Sequence, residues 1–135
     1  MFEEEAKKEN GIQAVSIATP NATHYEIAKA ALEAGLHVIC EKPVTFHATE
    51  AEELKAIAHQ NNRMLAVMYG YTGHVMVQQA REMVQNGDLG NIRVVQAEYA
   101  QDWLTEPADD DNKQAAWRTD PKMAGAGEDG ASGHP

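Results

Sequence analysis

The amino-acid sequence predicts an α/β fold in which three parallel strands alternate with two helices in the order β-α-β-α-β. Three short apolar runs rich in branched residues, Ile12–Ala18, Leu36–Cys40 and Met64–Tyr69, are continuous rather than alternating, as expected for strands covered on both faces. Two helical stretches with recognisable ends separate these runs. Because parallel strands need crossover helices, and because such crossovers are right-handed, we expect one side of a doubly wound parallel sheet.

The first helical stretch lies between Thr19 and Gly35. Thr19 or Asn21 can cap its start, and Pro20 suits a first helical position. Gly35 is typical of the left-handed conformation that follows a helix. The apolar residues that we expect on one face of this helix are Ile27, Ala28, Ala31 and Leu32.

The second helical stretch begins at Thr49-Glu50-Ala51-Glu52, which matches a capping box, and ends at Asn61-Asn62. Its apolar residues at helical spacing are Leu54, Ile57 and Ala58. Ahead of the first strand, residues 1–10 are typical of the end of a helix, so we expect the chain to begin inside a larger fold.

A change of pattern predicts two domains, one over residues 1–71 and the incomplete beginning of a second over residues 72–135. In the second domain, a helix is predicted from about His74 to Asn86. Ile92–Trp103 alternates well enough for a strand. Because one strand cannot bury its own face, we expect this part to be poorly determined without sheet partners. The apolar residues on one face of the predicted helix are Met76, Ala80, Met83 and Val84.

The composition excludes several functional classes. The chain has 135 residues, 43% of them hydrophobic, and its 11 Lys and Arg against 21 Asp and Glu give a net charge of −10, so an acidic globular domain is expected. This charge disfavours nucleic acid and membrane surfaces as partners. The single cysteine, Cys40, has no internal disulfide partner, and a cytoplasmic protein is expected. The six histidines show no spacing typical of a metal site, so none is predicted.

Polar residues follow two neighbouring strands of the predicted sheet. The first strand leads into Thr19–His24 and the second into Glu41-Lys42-Pro43. Because parallel strands end at the same edge and ligands bind outside those carboxyl ends, both segments should face one cleft. We call Thr19–His24 and Glu41–Pro43 together the carboxyl edge.

Lys42 is the leading candidate for chemistry at the carboxyl edge. A lysine at the mouth of a buried strand loses part of its hydration, which lets it exchange a proton near neutral pH. Pro43 biases Lys42 toward extended geometry. The alternative is that Glu41 and Lys42 form a solvated charge pair at a strand end.

Two further residues have alternative interpretations. His24 is either close to a cofactor ring or a surface residue, and Cys40 is either a nucleophile or a packed core residue.

Two runs together resemble the glucose-fructose oxidoreductase / inositol dehydrogenase / MocA family. They are Ala14–His24, with its Thr-Pro-Asn-x-x-His motif, and Ala34–Pro43, which ends in Glu-Lys-Pro. The resemblance continues through Asn86–Ile92, a helix-to-strand turn into the second domain, and through Trp117-Arg118. It implies the second half of a Rossmann domain followed by an α+β substrate domain. The phosphate-binding Gly-x-Gly-x-x-Gly of the other Rossmann half is not found in the sequence.

The resemblance implies an oxidoreductase that uses NAD or NADP to transfer hydride to or from a sugar or polyol hydroxyl. It implies that Lys42 contacts both cofactor and substrate and polarises the hydroxyl oxygen. The further residues implied for the cofactor cleft are Thr19, Pro20, Asn21, His24, Glu41, Pro43, Trp117 and Arg118. A homo-oligomer is implied for the complete protein.

In the family that the chain resembles, the acid or base that acts with the lysine comes from an Asp-x-x-x-His motif preceded by glycines. The corresponding residues here are Asp129 and His134, which are five apart rather than four. On a helix, one added residue rotates a side chain by roughly 100° relative to the other.

Without the resemblance, Trp117 and Arg118 are equally consistent with a pair of residues in an exposed loop.

Two hypotheses follow for the chain. In the first, it is a piece of a sugar or polyol dehydrogenase that carries the nicotinamide end of the cleft and Lys42. In the second, it is a non-catalytic remnant that at most associates with other chains. Because the main pyrophosphate contacts come from the glycine turn, little activity is expected from these 135 residues alone.

Overall fold

The computed structural model describes residues 1–100 and 120–125. The described residues form two compact units, one of residues 1–68 with 120–125 and one of residues 69–100. The division into domains at residues 71 and 72 stays a prediction.

The first unit is built on a parallel sheet of three strands in the order β1-β2-β3. The strands are β1 at Ala14–Ile17, β2 at His37–Glu41 and β3 at Leu65–Met68. Ile17 pairs in register with Cys40, and Cys40 pairs with Val67. The predicted β-α-β-α-β arrangement is confirmed, because each apolar run overlaps one of these strands, with β2 extending one residue beyond its run.

The helix after β1 begins with a short 3-10 turn and closes on a glycine. The 3-10 turn spans Asn21–Thr23 and leads into α2 at His24–Glu33; a shorter helix, α1, precedes β1 at Phe2–Ala6. Gly35 has φ 84°, and the amide of Leu36 donates to the carbonyl of Ala31 at 3.0 Å. This is a Schellman closure, so the predicted helix end is confirmed.

The helix after β2, α3 at Ala48–Gln60, begins earlier than predicted. Its N-cap is His47, whose backbone amide donates to the Glu50 carboxylate at 3.1 Å. The prediction of Thr49 as the cap was wrong by two residues, because Glu50, and not Glu52, occupies the third helical position and reaches back to the amide before the helix. The helix ends at Asn61 as predicted, and Asn62 follows with φ 51°.

The core of the first unit lies between the sheet and the helices α2 and α3. The predicted apolar faces supply most of it, since Ala28, Ala31, Leu32 and Leu54 are fully buried. The whole buried cluster comprises Ile17, Ala28, Ala31, Leu32, Leu36, Val38, Cys40, Leu54 and Ala58. This packing fixes β1 and β2 side by side and therefore positions the residues that follow them.

The second unit contains a 3-10 turn at Gly70–Gly73 and the helix α4 at Val75–Asn86. The helix ends on Gly87 with φ 77°, as predicted. Its apolar face is open, with Met76 72% and Val84 48% exposed.

The predicted strand at Ile92–Trp103 is not formed in its described part, residues 92–100. A strand needs a neighbour that satisfies its backbone groups, and the described residues offer residues 92–100 none. The alternation therefore gives no strand in residues 92–100, as expected for a segment that cannot bury its own face without sheet partners. Residues 101–103 lie outside the described residues.

Candidate functional site

Thr19 and Lys42 lie at matching positions on the carboxyl edge. Ile17 and Cys40 are a registered pair of β1 and β2, and Thr19 and Lys42 each follow two residues later. Both side chains are exposed. The parallel register therefore brings a hydroxyl and an ammonium group to the same edge of the sheet, where ligands of doubly wound sheets bind.

The two halves of the carboxyl edge are joined by the buried imidazole of His24. Its Nδ1 lies 2.7 Å from the carbonyl oxygen of Pro43, and its Nε2 lies 2.9 Å from the carbonyl oxygen of Thr19. The side chain is fully buried at the start of α2. Both neighbours are carbonyl acceptors, and a neutral imidazole has one N–H, so the ring donates to one of the two carbonyls and lies against the other. The buried ring thus sits between the two loops and contacts both.

A chain of hydroxyl groups defines how Thr19 meets a ligand. Thr23 Oγ1 donates to the carbonyl oxygen of Pro20 at 2.8 Å, and the two hydroxyls of Thr19 and Thr23 lie 2.6 Å apart. A hydroxyl has one proton, so Thr23 accepts from Thr19. Thr19 Oγ1 therefore presents lone pairs, and it acts toward a ligand as an acceptor.

The second half of the carboxyl edge is Glu41-Lys42-Pro43. The carboxylate of Glu41, which is half-buried, accepts the backbone amide of Lys42 at 3.2 Å. The peptide bond between Lys42 and Pro43 is cis. Glu41 thus holds the backbone at the strand end, and the exposed Lys42 side chain supplies positive charge.

Asn21, within the carboxyl edge, and Cys40, next to it on β2, are both buried. The Asn21 side chain is 4% exposed, and its Nδ2 donates to the carbonyl oxygen of Ala124 at 2.8 Å. Cys40 is fully buried, and burial, together with the neighbouring Glu41 charge, raises the pKa of its thiol to about 11. A thiol with such a pKa is a poor nucleophile at neutral pH, which favours the core interpretation of Cys40.

Four predicted site residues, Trp117, Arg118, Asp129 and His134, lie outside the described residues. Within residues 1–100 and 120–125, no three His, Cys, Asp or Glu side chains are grouped as metal ligands would be. In the same part of the chain, no helix is both long and apolar enough to cross a membrane.

The contact between Asn21 and Ala124 was missed by the sequence reasoning. It joins residues 103 positions apart, so no local spacing indicates it. The sequence signals only the local structure on the Ala124 side, since Asp120-Pro121 is a typical helix start and Ala124-Gly125 are small residues that permit close packing.

Two family models match the chain. Residues 2–69 match the oxidoreductase family GFO_IDH_MocA, NAD-binding Rossmann fold. Residues 77–128 match the GFO/IDH/MocA C-terminal domain.

Individual relatives are similar over most of the chain. An uncharacterized oxidoreductase of Bacillus subtilis, YfiI, is 49% identical over 93% of this chain and 32% of its own length. Levoglucosan dehydrogenase of Pseudarthrobacter phenanthrenivorans is 36% identical over 86% of this chain and 29% of its own length. The crystal structure of an inositol dehydrogenase homolog from Azotobacter vinelandii, complexed with NAD+, has a TM-score of 0.86 and 52% identity, covering 92% of this chain and 32% of that one. The chain thus spans about a third of the length of the relatives it matches.

Proposed function

We propose a function from the premise that this chain belongs to the GFO/IDH/MocA family of oxidoreductases, with an NAD-binding Rossmann fold. In this proposal, the chain forms the nicotinamide end of the cofactor cleft of a sugar or polyol dehydrogenase. The observation that carries the proposal is the placement of exposed Lys42 and exposed Thr19 at one edge of a parallel sheet, in loops joined by His24. The substrate class is suggested by the relatives, one of which is a levoglucosan dehydrogenase and another an inositol dehydrogenase homolog.

The chemistry of the carboxyl edge fits a nicotinamide nucleoside. Thr19 Oγ1 is an acceptor, which suits an amide N–H group, and the Lys42 ammonium is a donor, which suits hydroxyl oxygens. In the proposed cleft, Thr19, Pro20, Glu41, Lys42 and Pro43 line the cofactor. His24 affects cofactor binding indirectly, by holding the two loops in place, since both of its ring nitrogens face backbone carbonyls of those loops.

The proposed role of Lys42 is to stabilise the oxygen of the substrate hydroxyl as that group loses its proton. When bound, NAD or NADP would accept a hydride from the carbinol carbon of the substrate. As that carbon is oxidised, the O–H bond of the hydroxyl attached to it breaks, and negative charge develops on the hydroxyl oxygen. The Lys42 ammonium stabilises this charge by donating a hydrogen bond to the oxygen. The proton passes to a base, for which Asp129 and His134 are the proposed pair, and Trp117 and Arg118 are proposed to lie beside the cofactor.

The proposal is tested by titrating the chain with NADH while recording the amide signals by NMR. We expect shifts in the amides of Thr19, Asn21–His24, Glu41 and Lys42, and a weaker affinity in Lys42→Ala. Lys55→Ala is the matched control, because Lys55 is an exposed lysine on α3 whose contact is with Glu52. Shifts spread over the whole chain, or equal affinities of the two variants and the wild type, would contradict the proposed site.

The same samples decide whether the chain itself turns over. NAD+ reduction is followed by absorbance with myo-inositol and with levoglucosan as substrates. If reduction is measurable, Lys42→Ala should lower it by about 10²-fold or more, as is usual for loss of a group that moves or stabilises a proton. Binding without reduction would favour the non-catalytic hypothesis for these 135 residues.

A further inference from the structure

A segment from the C-terminal part of the chain packs on the carboxyl edge. Residues 120–125, which we call the docking segment, fall within the stretch that matches the C-terminal domain model. They nevertheless belong to the same compact unit as the sheet. The segment forms a single turn, Pro121–Ala124, which Asp120 caps through its carboxylate by accepting the amide of Lys122 at 3.0 Å.

One half of the carboxyl edge holds the docking segment through a buried hydrogen bond. The Asn21 amide donates to the carbonyl oxygen of Ala124 at 2.8 Å, with Asn21 4% exposed and Ala124 fully buried. Removing the amide leaves a buried carbonyl without this partner, which is unfavourable because water cannot replace it. The bond therefore contributes to keeping the segment in place.

The loop beyond the other half of the carboxyl edge holds the docking segment through a close backbone approach. Gly125 is buried with φ 79°, and a Cβ atom added there would lie 2.7 Å from the ring of Phe46. Phe46 lies three residues beyond Pro43. The segment thus contacts both the loop after β1 and the loop after β2, the same two loops that His24 joins from the interior.

We propose that Asn21 is a positioning residue that fastens the docking segment across the two loops, so that the segment forms one wall of the nicotinamide end of the cleft. The inference rests on the proposed function for its cofactor, although the docking itself does not. Asn21 then affects cofactor binding through the segment and makes no direct cofactor contact, since its amide is directed to Ala124. Gly125 acts through the same segment from the opposite side.

Hydrogen exchange tests the docking in the chain without ligand. The amides to follow are those of Met123, Ala124 and Gly125, which donate to carbonyls within the turn. Asn21→Ala should speed their exchange by roughly ten- to a hundredfold, the effect of leaving one buried carbonyl unpaired. Asn61→Ala is the matched control, because it removes another amide-to-carbonyl bond, to Ile57, at an exposed helix end. Equal exchange in the wild type and Asn21→Ala would overturn the proposal.

Gly125→Ala provides a second variant that does not depend on the folding of Asn21→Ala. Its added Cβ meets the Phe46 ring and its φ is unfavourable for alanine, so it should release the same three amides. Unchanged exchange in this variant would also overturn the proposal. Far-UV circular dichroism and the exchange of β2 amides show that the sheet itself is intact.

NADH affinity separates a positioning role from direct contact. If both residues act through the docking segment, Asn21→Ala and Gly125→Ala should each weaken NADH binding by a similar factor, and the double variant should be no weaker than either single variant. Effects that multiply in the double variant would assign a direct contact and overturn the positioning role. Absence of NADH binding in the wild type would reject the proposed function, and the exchange experiment would then decide the docking on its own.

Discussion

His24, Asn21 and Cys40 are buried around the carboxyl edge, and each is accommodated differently. The imidazole and the amide are buried with backbone carbonyls as partners, which compensates for their lost hydration. Within the described residues, no buried side-chain nitrogen or oxygen is left without a hydrogen bond. Cys40 behaves instead as a small apolar residue, because its thiol stays protonated.

The raised pKa of Cys40 predicts a thiol that resists alkylation. Burial moves the pKa from 9.0 to about 11, so the folded chain holds about 100-fold less thiolate at neutral pH than an unfolded one. We therefore expect iodoacetamide at pH 7.5 to label Cys40 at least about 100-fold more slowly in the native chain than in 6 M guanidinium. The rate is measured by mass spectrometry.

The pH dependence of labelling is the control for this prediction. Because the folded pKa is about 11, the native rate should keep rising from pH 9 to pH 11, whereas the unfolded rate levels off above pH 9. A native rate that levels off near pH 7 would show an activated thiol, and would restore the hypothesis that Cys40 is a nucleophile.

At the scale of elements, α2 and α3 are linked by a three-residue polar network above the core. Glu53 on α3 accepts from Lys29 Nζ at 2.6 Å and from the Tyr25 hydroxyl at 2.7 Å, both on α2. The Lys29 ammonium also lies 5.6 Å from the Tyr25 ring centre. The bond to Lys29 is the main cause of a lowered pKa of Glu53, and the bond to Glu53 is the main cause of the raised pKa of Lys29.

Glu53→Gln should lower the melting temperature by a few degrees at pH 7. A carboxylate whose folded pKa lies below its unfolded value stabilises the fold above the ordinary pKa near 4.5, and this contribution is lost as the pH falls through the lowered value. The difference between variant and wild type should therefore shrink at pH 3 and in high salt. Glu52→Gln, which breaks only an exposed pair with Lys55 on the same helix, is the control. Equal effects of both variants would contradict a link between the helices.

The elements were largely predictable because their signals are local. The apolar runs identified all three strands, and Gly35, Asn61 and Gly87 identified the helix ends. The α3 cap was misplaced, because two overlapping positions offer a Glu three residues on, and only the folded loop selects His47. The strand at residues 92–100 fails for a non-local reason, since alternation alone does not provide a neighbouring strand.

The candidate site was predictable only in its local parts. Thr19 and Lys42 follow strands, so the sheet topology alone brings them to one edge. The two carbonyl partners of His24 and the docking of Ala124 on Asn21 depend on segments that are distant in the sequence. Such contacts leave no periodicity, and they emerge only when the core has placed the loops.

At the scale of the whole molecule, the two units differ in how much apolar surface they bury. The sheet unit holds the buried cluster around Leu32, Leu36 and Leu54. In residues 69–100, by contrast, no described side chain is fully buried, and Val75, Val94 and Val95 are each about four-fifths exposed. Since local stability follows buried apolar contact, the two units should open independently and with different free energies of opening.

Native-state hydrogen exchange should therefore divide the chain in two. Amides of β2 and α2 should exchange only by global unfolding of the first unit. Those of α4 should exchange at least about 100-fold faster, because no residue of α4 is buried in the part of the chain that the structure describes. Exchange measured at several protein concentrations distinguishes two causes of any protection in α4. Protection that grows with concentration would mean that copies of the chain cover the Met76 and Val84 face, as expected for self-association through exposed apolar surface. Protection in α4 equal to that in β2 at every concentration would contradict independent opening, because it requires the helix to unfold only together with the sheet.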